Sequence, residues 1–200
     1  MRKKKILFIS PDCYPISNAE AIVNYKFVSA LRENGYFVTV ISQEKSSYIY
    51  PKLNLPESKH NLAISVPNGK NFKNLFFHFL AYIKTGYLLP SSQFIYNANI
   101  IATKYIKRNS YDLILCSNHP GPLLGLYLTK KFNIPLGVIW NDPFPKSKYP
   151  NPYSEGYNSK LAFIWVNYLD DIQEHISYNF FANDRLRKYM FKYLLKLKDK

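Results

Sequence analysis

Glycine is scarce in this chain, 7 of 200 residues, and none occurs between Met1 and Asn34. A dinucleotide pyrophosphate is cradled where a strand turns into a helix, and the backbone approaches it closely only where side chains are missing. Lack of a G-x-G-x-x-G after the first strand therefore disfavours NAD or FAD, and lack of G-x-x-x-x-G-K-[ST] excludes an ATP phosphate loop. Cysteine is scarcer still. Cys13 and Cys116 form neither a disulfide framework nor a metal motif, and the four histidines show no ligand spacing, so a reducing cytoplasm is expected. Neither cysteine lies in a nucleophile context, and both read as small packing residues. Long apolar runs are missing too. No stretch reaches the ~18 uncharged residues of a membrane span. The apolar segment near Met1 is ended by Pro11-Asp12 after about five residues, short of a signal peptide.

Acidic residues number 13 against 27 Lys and Arg, giving a net charge of +14. The excess is concentrated at the ends: Arg2 to Lys5 carry +4 and residues 185–200 carry +6. Such a distribution argues against the continuous basic stripe of a nucleic-acid binder. Solvated terminal runs are the plainer reading, and peripheral contact with an anionic membrane is the sharper one.

Aromatic residues are abundant, with 18 Tyr and 14 Phe, enough for one well-buried domain. Apolar runs at residues 6–9, 37–41, 62–66, 113–116, 136–140 and 176–181 predict strands. Amphipathic stretches at 19–34, 91–108, 123–132, 158–173 and from 184 onward predict helices. Alternation of the two predicts an α/β fold with a parallel sheet covered by helices on both faces. In the first helix Val23, Phe27, Ala30 and Leu31 share a predicted core face. Residues 71–89 are apolar nearly all round. There Phe72, Leu75, Phe76, Phe79, Leu80 and Ile83 form a stripe expected in the core, the alternative being a surface for a lipid or lipid-linked acceptor.

In such a sheet, ligands bind beyond the carboxyl ends of the strands. Three loops lie there: 11–18, 117–122 and 141–152. Ser17, Asn18 and Glu20 stand at a helix start, where backbone N–H groups favour an anion unless they are merely capped. Asn118 and His119 follow a strand, and His119 is placed to bond a hydroxyl or exchange a proton. Asn141 and Asp142 have the same placement, although a lone carboxylate often only caps a turn.

In order along the chain, Lys4 to Pro11 with Tyr14-Pro15, Ala30 to Val40, Tyr111 to Ile114, Pro120 to Leu128, Ile134 to Leu136, Asp142 to Pro145 and Phe181 to Asp184 with Arg187 resemble the amino-terminal domain of glycosyltransferase family 4. The family's enzymes are built from two Rossmann-like domains, the GT-B architecture. The usual Gly-Gly before the first helix is Ser17-Asn18 here, and His119 falls within a residue or two of the family's histidine-bearing loop. The resemblance implies a three-layer Rossmann-like domain over residues 1–200 that carries the acceptor side. It implies a separate donor-binding carboxyl-terminal domain with an E-x7-E motif, which these residues do not contain. It further implies transfer from a nucleotide-sugar to a sugar or lipid-linked acceptor in cell-envelope polysaccharide or glycolipid synthesis. No cofactor or metal is required, and no turnover is expected from these residues alone. His119 and Asp142 are then the catalytic candidates, and Ser17, Asn18, Glu20, Asn118 and Asn141 the substrate-binding ones. Partners expected are the missing domain and a peripheral membrane contact at the inner face, with no nucleic acid. A non-catalytic binding module of the same fold, for a membrane surface or a protein, is the competing reading. Hydrolysis would need two carboxylates about 5 to 10 Å apart, and the loops offer no convincing pair.

Overall fold

A computed structural model describes residues 3–13, 18–43, 63–66, 76, 79, 80, 83, 92–117, 119–142 and 162–193. Six strands, β1 (Lys5–Ile9), β2 (Phe37–Gln43), β3 (Ala63–Val66), β4 (Leu113–Ser117), β5 (Leu136–Trp140) and β6 (Ile176–Phe181), form one sheet in the order β3-β2-β1-β4-β5-β6. Every pairing is parallel, with Leu7 level with Thr39 on one side and Ile114 on the other. This is the Rossmann order, in which the chain reverses its direction of travel across the sheet between β1 and β4. Helices α1 (Ala19–Glu33), α2 (Ser92–Arg108), α3 (Gly121–Phe132), α4 (Ala162–His175) and α5 (Asp184–Tyr193) connect or follow the strands.

Side chains alternate across the strands, and the core divides accordingly. Leu7, Ile9, Ile114, Cys116, Leu136 and Val138 point to the face covered by α2, α3, α4 and α5. Ile6, Phe8, Val38, Val40, Leu115 and Ile139 point to the face covered by α1. The central strands β1, β4 and β5 are therefore covered on both faces, which explains why they read as continuous apolar runs, whereas Tyr178 and Phe180 of the edge strand β6 are exposed. Stop signals act as the sequence suggests. Gly35, at φ +85°, turns the chain out of α1, and Asn133, at φ 53°, ends α3 in the left-handed region.

Two expectations are corrected. Helix α1 is rotated relative to its predicted face: Ala21, Asn24 and Val28 are buried, Phe27 and Leu31 are half-buried, and Val23 and Ala30 are exposed. The cause is polar. The Asn24 carboxamide is drawn inward to the turn after β1, where Nδ2 donates to the Asp12 carbonyl at 2.6 Å and to Ser10 Oγ at 3.2 Å. The second correction concerns the aromatic stripe. Phe76, Phe79 and Ile83 are helical but 62%, 60% and 61% exposed, so these three are not in the core, whereas Leu80 is half-buried. Phe72 and Leu75 lie outside the described residues.

Glycine at 125 sets the distance between α3 and the sheet. A Cβ there would stand 2.4 Å from Cys116 Sγ and 2.9 Å from Leu136 Cδ1, both side chains fully buried. Neither can retreat into solvent. Gly125→Ala is expected to lower the urea midpoint, at a cost of about 1–3 kcal/mol for overpacking, although alanine ordinarily favours a helix.

Candidate functional site

The site is built from the turn that leaves β1. Ser10 Oγ donates to the Asp12 carbonyl at 3.0 Å and accepts from the Asp12 N–H at 3.2 Å, closing a tight local loop. Ser42, buried at the end of β2, donates to the carbonyls of Pro11 and Cys13. Asn24 grips the same turn from α1. Three buried polar side chains, Ser10 in the turn itself, Asn24 from α1 and Ser42 from β2, thus fix the backbone around Asp12 by bonding its carbonyls.

Asn18 caps α1: its Oδ1 accepts from the Ala21 N–H at 2.7 Å, and its Nδ2 donates to Asp12 Oδ1 at 2.7 Å. In the first turn of the helix stands Glu20. Its carboxyl shares hydrogen bonds with both Asp12 and Asp142, the latter reaching over from the loop after β5. Burial, then repulsion from Asp12 and Asp142, pushes the Glu20 pKa up to about 7. Glu20 therefore holds its proton through the acidic range and exchanges it near neutrality, the condition for proton transfer at a working pH. Beside this group Asn141 Nδ2 donates to Ser117 Oγ at 3.2 Å, joining the ends of β4 and β5.

Of the residues proposed from the sequence, Asn18, Glu20 and Asp142 come together around Asp12, and Asn141 lies on the neighbouring strand end. Ser17 and Asn118 lie outside the described residues. His119 begins the passage into α3, and its ring meets Tyr168 of α4 edge-on at 6.1 Å. Its ring nitrogens are shielded from solvent, and burial lowers its pKa to about 3. At neutral pH the imidazole is uncharged.

The arrangement changes two readings. An anion at the start of α1 is disfavoured, because three carboxyl groups crowd that end and the Ala21 N–H is taken by Asn18. A group of carboxyls does exist, contrary to expectation: Glu20 is hydrogen-bonded to Asp12 and to Asp142. Asp12, Ser10, Asn24 and Ser42 were not singled out in the sequence. The signal that could have found Asp12 is its place, three residues past a buried strand and six before an Asn N-cap.

One grouping among the described residues has ligand-type atoms all within 4.8 Å of each other: Asp171, Glu174 and His175 at the end of α4. There Lys130 pairs with Asp171, and His175 Nδ1 lies 2.9 Å from the Asp171 carbonyl oxygen. These contacts tie α3 to α4 and close the end of α4. The buried Cys116 thiol has its pKa raised by desolvation, which keeps it an inert packing group.

The shared proton gives a pH dependence. Glu20 binds its proton more tightly in the folded state than the ordinary value near 4.5. Its contribution to stability is therefore lost as pH rises from about 4.5 through about 7. Glu20→Gln keeps the shape and removes the titration. Its thermal midpoint is expected to match wild type at pH 4.5 and to exceed it by pH 8; equal offsets at both values would contradict the shared-proton arrangement.

No protein-family model matches this chain, and no curated protein sequence matches it. Its fold is similar to that of sucrose-phosphate synthase from Thermosynechococcus elongatus, with TM-score 0.66 and 15% identity over 98% of this chain and 46% of that one. The chain thus spans less than half the length of that enzyme. A second solved structure, the carboxyl-terminal domain of a hydrogenase from Pyrococcus furiosus, aligns with TM-score 0.43 and 21% identity over 69% of this chain and 92% of that domain. What the likeness shows is the shared Rossmann-like fold.

Proposed function

We propose that this chain is the acceptor-side domain of a nucleotide-sugar-dependent glycosyltransferase acting in cell-envelope polysaccharide or glycolipid synthesis. The donor nucleotide is held by a second, carboxyl-terminal domain, no metal is required, and these 200 residues alone do not turn over. The observation that carries the reading is the carboxyl cluster of Asp12, Glu20 and Asp142 at the switch point of a glycosyltransferase-like sheet. Carboxyl groups accept from sugar hydroxyls and repel phosphates, so this edge suits the neutral, hydroxyl-rich partner and leaves the pyrophosphate to the other domain. Within the reading Asp142 and Glu20 orient the acceptor hydroxyl, and Glu20, titrating near neutrality, is the group able to take its proton. His119, uncharged, serves as a hydrogen-bond partner rather than a cation. Asn18 and Asn141 hold the carboxyl-bearing turns in place.

Titration of the chain with neutral mono- and oligosaccharides, followed by amide chemical shifts, is expected to move the signals of residues 12, 18, 20 and 142. Asp12→Asn and Asp142→Asn should each weaken binding roughly tenfold, the scale of one hydrogen bond to a charged acceptor. Shifts produced by UDP or another free nucleotide at these residues, or by no saccharide in the panel, would sink the assignment.

A further inference from the structure

Next to the carboxyl cluster, α1 and β6 present aromatic and aliphatic side chains to solvent. Glu20, Val23 and Phe27 are spaced by three and four residues and so share one side of α1. The Phe27 ring meets that of Phe180 in β6 edge-on, with centroids 6.3 Å apart and planes inclined at 64°. Tyr178, two residues before Phe180, is on the same face of that strand. Phe180 reaches over β5 at Gly137, where a Cβ would stand 3.5 Å from Phe180 Cε2 and 2.9 Å from Leu115 Cδ1. Val23, Tyr178 and Phe180 are 53%, 55% and 39% exposed, and β6 is the edge strand of the sheet. These side chains border the cluster from both elements. Glu20 and Phe27 are about 10 Å apart along the helix axis, and Phe180 is level with Ile139, three residues before Asp142.

We propose that Phe27, Tyr178 and Phe180, with Val23, form an aromatic subsite that carries the second and later rings of an oligosaccharide acceptor whose end ring lies at the carboxyl cluster. The subsite rests on the acceptor-side reading of that cluster and sets a minimum length for the acceptor, more than one ring. A pyranose has two faces that bear C–H groups and a rim that bears hydroxyls. Its faces lie well against aromatic rings, and its rim bonds to carboxylates. The two surfaces therefore complement different parts of one ligand, in the usual pairing of an apolar lining with a few placed polar groups. Phe180, braced by Phe27 and seated over Gly137, is held in place before the ligand arrives, so little ordering is left to the binding step. An anionic lipid headgroup fits less well, since its phosphate would meet Asp12, Glu20 and Asp142. A second copy of this chain fits less well too. Three exposed apolar side chains fall far short of the roughly 20 residues that each side of a stable protein interface supplies.

Titration of the whole chain with glucose and N-acetylglucosamine, and with the β-1,4-linked trisaccharide and tetrasaccharide of each, followed by amide chemical shifts, tests it. Residues 12, 20 and 142 are expected to respond to every saccharide that binds, and residues 23, 27, 178 and 180 to the longer ones alone. The longer saccharides should bind about tenfold more tightly than the single sugar, the scale of stacking on aromatic rings. The double variant Tyr178→Ser, Phe180→Ser should lower that preference to within twofold. Tyr178→Ser alone, at an exposed edge position where folding is little affected, should remove about half of it on a logarithmic scale. Ile100→Ser, an exposed apolar residue on α2, serves as control and should keep the full preference. Two results would overturn the subsite while leaving the acceptor-side reading in place: equal affinity for short and long saccharides with shifts at 12, 20 and 142, or a length preference that survives in the double variant. Failure of every saccharide to move residues 12, 20 and 142 would remove that reading and the subsite with it.

Discussion

The turn after β1 is the constraint on which the site depends. A parallel sheet delivers its strand ends to one edge, but nothing in the sheet itself fixes the direction of the chain beyond that edge. Here the direction is set by buried hydrogen bonds from Asn24 and Ser42 to the carbonyls of residues 11–13. A buried carbonyl left without a donor costs about 1–3 kcal/mol, so the alternatives to this path are steeply disfavoured. The same bonds rotate α1 about its axis, which places Glu20 over Asp12 and within reach of Asp142.

A second constraint closes the site from behind. Helix α3 starts so near β1 that a Cβ at Gly121 would meet the Ile9 carbonyl oxygen at 2.8 Å. Only hydrogen fits. The passage carrying His119 is held against the body of the domain, and the ring settles against Tyr168. The site therefore combines a rigid rear built by packing with a carboxyl cluster whose charge state varies with pH near neutrality.

Strand and helix positions were legible because each element obeys its own periodicity and its breakers act locally: Gly35 and Asn133 stop helices where the sequence says they should. Asn18, Glu20, Asn141 and Asp142 were legible as candidates because position at a strand end or helix start is itself a signal. Asp12 and Asn24 were not. Their roles depend on side-chain directions in an irregular turn and on a helix rotation driven by polar contacts, neither of which leaves a repeat in the sequence. Periodicity found Phe76, Phe79 and Ile83, but the same spacing serves a buried and an exposed face, so the sequence did not say that these side chains are exposed.

Asn24 and Ser10 hold Asp12 by its main-chain carbonyl and N–H, while the carboxylate of Asp12 is turned to Asn18 and Glu20. Shape and chemistry at this position are thereby uncoupled. A different side chain could be installed at residue 12 without undoing the bend that presents it, so the chemistry of this edge can change by a single codon while the architecture persists.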